Sequence, residues 1–334
     1  MQLSSNFNNG LVEELNRLCG TTVNNYSFKE KTADLNSALD WYFDIGERSS
    51  NNWNNDDSNQ TSPPIDTQNI VSGTNRYKLS NFTSEITDIL KLEVDDGTGV
   101  AKALTVATLD SFGNVVGNQS GQLGETGSNS FDDVYINAPS GIPTAYIKYG
   151  NFIYLNRKPN YNATAGLKVY FNRPASKFLF YSVVANTDDT LTATAHGLVA
   201  GDTVLFETDG TIPTGLTADT KYYVISSGLT ADVFKVSTTL GGSAVDITNA
   251  QTSSNHAFLQ TSKSPGINSM HHPALVNYAA YRFMSFNNTK GVYNSRLQTL
   301  LPQIQKDENM IETHFTQRDK DVRERITVFY QNNH

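Results

Sequence analysis

The apolar period of this chain changes from helical to alternating and back to helical, and that pattern limits the available folds more than any single motif. Leu11, Leu15, Leu18 and Cys19 stand at i, i+4, i+7 and i+8 on one helical face. A second helix is announced by Ser27 and Glu30 in capping-box spacing, carries the stripe Leu35, Ala38, Leu39, Tyr42 and Phe43, and has Gly46 as its expected stop. The helical period returns at Pro273, a good first-turn residue, with Leu275, Tyr278, Ala279 and Phe286 as its expected buried face. After the break Asn287 to Gly291, a longer helix carries Tyr293, Leu297, Leu300, Leu301, Ile304, Ile311 and Phe315, with Pro302 as its expected kink. Amphipathic helices of this size bury their stripes only against one another, so both ends of the chain are expected to meet in one bundle.

Between the helical ends, alternation rules. Leu90, Leu92 and Val94 alternate with Lys91 and Glu93, and Leu167, Val169 and Phe171 repeat the pattern. Tyr146 to Tyr149, Gly150-Asn151 and Phe152 to Leu155 spell a hairpin with a two-residue turn. From about Tyr181 to Ser262, short Thr- and Val-rich runs lie between Gly turns, which suits a small barrel or sandwich inserted between a strand and a helix. The expected class is therefore α+β: a helical bundle from both ends, a β-sandwich-like module, and an inserted all-β domain. The boundaries fall at 1–76 for the helices and an exposed loop (Ser49 to Asp66), 77–180 for the β-rich module, 181–263 for the insert, and 264–334 for the closing helices and tail.

Composition narrows the function classes. The 334 residues are 38% hydrophobic and 17% charged, 10% are aromatic, and the formal charge is -8. Aromatic content at that level argues for a folded chain, while no apolar run approaches the roughly 18 to 20 residues that cross a bilayer. The acidic balance argues against wrapping a phosphate backbone through many Lys and Arg contacts. The lone Cys19 has no intrachain partner, and MQLSSNFNNG lacks the marks of a secretory signal, so folding in a reducing cytoplasm is expected.

Candidate chemistry is sparse. Cys19 shares the Leu11 and Leu15 face and is expected to be a packed thiol. His271 and His272 are adjacent, so their side chains diverge, and capping the helix at Pro273 is the expected role. The pairs Asp56-Asp57, Asp95-Asp96 and Asp188-Asp189 read as turn residues without calcium-loop spacing. No phosphate-loop, dinucleotide, nucleophile-elbow or zinc-protease motif occurs in the sequence, so no catalytic, cofactor or metal site is expected and no enzyme.

Thr194 to Asp202, followed by Pro213-Thr214-Gly215-Leu216, Tyr222-Tyr223-Val224 and Phe234-Lys235-Val236-Ser237, resembles a β-module that recurs in tailed-bacteriophage virion proteins. It covers about a quarter of the chain. The remainder resembles the head-to-tail connector, or adaptor, proteins of such phages. The likeness is carried by the opening helices, Trp53 with Asp56-Asp57, Tyr77-Lys78-Leu79, Phe152 to Pro159, Lys168 to Phe171 and the helix pair from His272-Pro273-Ala274-Leu275.

That resemblance implies a structural virion protein made in the host cytoplasm and located in the neck. It would form a dodecameric ring joining the portal to downstream neck or tail proteins, with DNA passing through the lumen without sequence-specific binding and no membrane involved. Two other readings stand beside it, a neighbouring neck or tail protein (head completion, tail terminator) and a trimeric receptor-binding or decoration protein. The candidate ring or portal contacts are Arg318, Asp319, Lys320, Arg323 and Arg325, with Ile326, Val328, Phe329 and Tyr330 as a β-prone tail. That tail is expected to join either a partner's sheet or the chain's own β module.

Overall fold

The computed structural model describes residues 1–5, 9–21, 25–50, 62–107, 138–249, 254–288 and 291–331, and for 50 and 318–331 the backbone alone. The chain divides into two compact units, 1–60 together with 175–334, and 61–174. The class is α+β, as the change of period requires.

The 61–174 unit is a pair of four-stranded sheets sharing a core. Its strands are β1 (Ile65–Ile70), β2 (Arg76–Lys78), β3 (Asp88–Asp95), β4 (Ala101–Ala103), β5 (Thr105–Val106), β6 (Ala145–Tyr149), β7 (Phe152–Leu155) and β8 (Ala163–Asn172). One sheet runs β1-β8-β3-β4 and the other β2-β7-β6-β5. Leu92, Val94, Leu167, Val169 and Phe171 from the first meet Tyr77, Tyr146, Ile153 and Leu155 from the second. The β6–β7 hairpin turns at Gly150-Asn151, with Tyr149 opposite Phe152 and Gly150 at φ 55°, where a side chain is disfavoured. A register shift between Ile89 and Lys91 breaks the alternation of β3, so Leu90, expected inside, is 44% exposed. Residues 62–66 were expected in an exposed loop, yet β1 begins at Ile65 and pairs with β8. Its sequence IDTQNI buries only Ile70, which is why the pattern did not announce it.

In the other unit, six strands close into a barrel. They are β9 (Phe180–Ala185), β10 (Leu191–Thr192), β11 (Thr203–Thr208), β12 (Lys221–Ile225), β13 (Val233–Ser237) and β14 (His256–Gln260). The order is β10-β13-β12-β11-β14-β9, with β9 returning to β10, so no strand edge is left open. Val183, Val204, Phe206, Val224, Phe234, Val236 and Phe258 fill the inside. On the outside, the facing pair Leu205 and Leu259, with Phe180, packs into the core of the helices. Alternation thus buries β11 and β14 on both faces.

The helices are α1 (Leu11–Cys19), α2 (Phe28–Ser50), α3 (His272–Phe286) and α4 (Asn294–Gln331). Their shared core includes Leu15, Leu35, Leu39, Tyr42, Leu275, Ala279, Ile304, Ile311 and Phe315. The capping box of α2 forms: the Ser27 hydroxyl accepts the Glu30 N–H at 3.2 Å and the Glu30 carboxylate accepts the Ser27 N–H at 2.8 Å. Four expectations are corrected. Gly46 does not stop α2, which continues to Ser50; it is the gap through which the Phe315 ring approaches, where an added Cβ would lie 3.0 Å from Cζ. Phe286 is 73% exposed although it shares the phase of Leu275 and Ala279, because it is the last residue of α3; the buried face ends one turn earlier, at Phe283 and Met284. Leu18 and Leu301 lie on outer faces, at 36% and 45% exposure. The tail is no strand: Ile326 to Tyr330 continue α4, since no Gly or Pro interrupts the helix after Pro302 and elongation adds one bond per residue to an existing nucleus.

Candidate functional site

The longest element, α4, carries the residues singled out from sequence, and its N-terminal half shows how it is held. Asn288 accepts the Tyr293 N–H at 3.0 Å, starting the helix after a left-handed Gly291 at φ 70°. Leu300, Ile304, Ile311 and Phe315 then form one buried row. Asp307 occupies that row too and is only 5% exposed. Its carboxylate accepts from the Asn277 amide at 2.7 Å and the Gln303 amide at 2.8 Å, which replaces the water lost on burial. On the rim, Arg48 of α2 bridges Asp44 at 3.0 Å and Glu308 of α4 at 3.2 Å. Lys306 and Glu312 are exposed. The side chains of Arg318, Asp319, Lys320, Arg323, Arg325, Ile326, Val328, Phe329 and Tyr330 lie outside the described residues; their backbone is helical.

A groove of about 740 Å³ lies between α1, α3 and α4. Leu18, Val276, Met284 and Leu300 line its apolar side, and Glu14, Arg17 and Arg296 its polar side. The two arginines are already committed: Arg17 pairs with Glu14, and Arg296 donates to the Cys19 carbonyl at 2.9 Å, closing the end of α1. The groove therefore offers shape and apolar surface without a convergent acid and base.

The other sequence candidates are structural. Cys19 is buried, and burial pushes its thiol up to about 12, so it is protonated and inert at neutral pH. Asp95 accepts the N–H groups of Gly97 and Gly99 at 2.7 and 3.1 Å. Asp96 is held well below the usual carboxylate range by the Thr98 side chain, with Lys102 adding to it. Asp188 accepts from the Thr190 N–H two residues on, as a turn residue does, whereas Asp95 ends β3 and caps the turn after it and Asp189 ties its turn to the Ile247 N–H; Asp56-Asp57 lies outside the described residues. The expectation for His271 is corrected: no side chain caps α3, and His271 is instead a wholly buried ring beside Tyr42 and His314. Pro273 occupies the first turn, where a missing N–H costs nothing, so a side-chain cap is not required there.

Two buried polar groups had escaped the sequence pattern. Lys31 is fully buried, with its Nζ 5.2 Å from the centre of the Tyr26 ring and no hydrogen-bond partner among the described residues; burial lowers its pKa. Asp307 was legible only through its phase, three residues after Ile304 on the buried row. Among the described residues, no group of three or more His, Cys, Asp or Glu side chains is placed to hold a metal ion, and no helix is long and apolar enough to cross a membrane.

No family model matches the chain, and no curated protein matches it.

Proposed function

We propose that this chain is a structural virion protein, a head-to-tail adaptor whose copies form a ring between the portal and the tail and line part of the DNA channel. The observation that carries the reading is the order of elements: an opening helix pair, a β-sandwich, a closed barrel and a Pro-led helix pair that returns to the opening helices. That is the order on which the resemblance to phage connectors rests. A formal charge of -8 suits a lumen that DNA slides through, since like charge limits adhesion. A closed ring needs two different complementary patches per protomer, and the charged stretch of α4 from Lys306 to Arg325 serves as one of them.

Mass measurement on the purified full chain by native mass spectrometry, with class averages from electron microscopy, tests the proposal. Rings of about twelve copies with a central channel support it. A trimer favours the receptor-binding or decoration reading, and a chain that stays monomeric at high concentration and in the presence of portal overturns the adaptor assignment.

A further inference from the structure

The ring of His271 sits where the 3-10 turn Ser269–His271 meets α2 and α4, and it makes contacts without making bonds. It is 0% exposed, and neither ring nitrogen has a hydrogen-bond partner among the described residues. The Tyr42 ring of α2 lies 5.6 Å away, centre to centre, and the His314 ring of α4 lies 5.0 Å away, edge on. Phe315 completes the cluster at 5.7 Å from both Tyr42 and His314, seated over Gly46.

The titratable groups that face His271 oppose a proton on balance. Tyr42 is the group from α2, and His314 and Asp307 those from α4, while His272 comes from α3. The His272 Nε2 meets the Ile267 carbonyl at 3.2 Å and its Nδ1 meets the Met1 amine at 2.6 Å. Asp307, the single anion of the group, favours the proton, but burial, His314 and His272 outweigh it, and its carboxylate is held by the Asn277 and Gln303 amides without bonding to the His271 ring. A cation at His271 would therefore be buried among rings and further histidines, which is costly.

We propose that His271 is an acid-operated latch: as a neutral imidazole it is the apolar wedge joining the turn, α2 and α4, and its protonation releases the buried row of α4 from α2. Histidine suits the role because its ordinary pKa lies just below neutrality. Burial first, then the neighbouring His314 and His272, depress its pKa from the ordinary 6.5 to about 4 in the closed bundle. The opened form takes up a proton near 6.5 while the closed form refuses it until about 4, so the opened form binds more protons throughout that interval. Opening is thus favoured as pH falls from 6.5 toward 4, by roughly 50-fold between pH 7 and 4.5.

Hydrogen exchange on the full chain, corrected for the intrinsic pH dependence of exchange, reads the latch directly. Protection of amides 309–317 is expected to drop roughly 50-fold between pH 7 and 4.5, while β11 and β14 keep theirs. His271→Leu, which keeps an apolar wedge and removes the titration, is expected to hold its protection at pH 4.5. His314→Gln removes one of the groups that oppose the charge in the closed bundle, which lets the closed form take the proton more readily, so it is expected to move opening to lower pH, a shift that a merely structural role would not produce. Opening of His271→Leu at the pH of the parent chain overturns the latch. Should that variant fail to fold, an unchanged opening pH in His314→Gln overturns it instead.

Discussion

The barrel and the helical bundle belong to one compact unit but treat buried polarity in opposite ways. Inside the barrel, alternation delivers mainly Val, Leu and Phe, and its two buried histidines lie outside the strand interiors with a bonded nitrogen each: His196, in the β10–β11 connection, accepts the Leu198 N–H at 3.0 Å while its Nε2 finds no partner among the described residues, and His256, at the start of β14, meets the Thr208 hydroxyl at 3.0 Å. The bundle instead buries Lys31, His271 and Asp307 within its apolar stripes. A closed barrel satisfies its backbone by strand pairing and leaves only side chains to choose, whereas helices drawn from opposite ends of a chain must fill an irregular gap. The bundle is therefore the part of this unit that acid should open first.

The largest effects come from deleting one core ring in each region. Phe234→Ala in the barrel and Phe315→Ala in the bundle each remove a ring with no exposure, which costs about 3 to 5 kcal/mol. Trp41 stacks on Tyr278 at 4.7 Å and so reports on α2 and α3. In a Trp53→Phe background, Phe315→Ala is expected to lower the midpoint seen by Trp41 fluorescence. Phe234→Ala is expected to act first on exchange protection of β13 and β14. Equal losses by both probes in both variants would mean that Leu205, Leu259 and Phe180 weld the two regions into one cooperative block.

Much of this contrast could be read from sequence, and the exceptions have physical causes. The barrel, the β6–β7 hairpin and the capping box at Ser27 follow from period and local chemistry, which need no distant partner. Gly46 was misread because an interior glycine and a terminal glycine look alike until the Phe315 ring, more than two hundred residues away in sequence, is placed against it. Ile326 to Tyr330 was misread because β-branched and aromatic residues raise strand propensity, while continuation of a formed helix outweighs a few tenths of a kcal/mol per residue. Leu90 was displaced by a bulge, which shifts a two-residue period without any mark in the sequence.

The close approach at Gly46 supplies the next prediction. Alanine there would gain about 1 kcal/mol of helix propensity, but its methyl would meet a Phe315 ring confined by Tyr42 and His314. Overpacking of that kind costs about 1 to 3 kcal/mol, so Gly46→Ala is expected to destabilise the bundle by about 1 kcal/mol net. Urea midpoints should show Gly46→Ala, Phe315→Leu to be less destabilised than the two single changes added together. Strict additivity would mean the ring already has room.

Smaller again is the cap of α2. Ser27→Ala removes the acceptor for the Glu30 N–H and leaves the Ser27 N–H as the one group the Glu30 carboxylate still serves. A loss of about 1 kcal/mol in thermal unfolding is expected, recovered in large part by Ser27→Asp. No recovery would show that the box contributes through packing.

The smallest effect is expected at Arg48, and it decides what joins α2 to α4. Arg48 is the charged bridge between these helices, reaching Glu308 at 3.2 Å, yet its side chain is 58% exposed and that of Glu308 is 36% exposed. An exposed ion pair gains little in water and loses side-chain entropy, so Arg48→Ala should cost no more than roughly 0.5 kcal/mol at low salt and less above the salt concentration where screening sets in. The buried row Ile304, Ile311 and Phe315 would then carry the contact, and the same change made with Phe315→Ala should add to it without further penalty. A loss above about 1.5 kcal/mol for Arg48→Ala, persisting in high salt, would reverse the order of importance and make the bundle a charge-stapled assembly like few water-exposed helices.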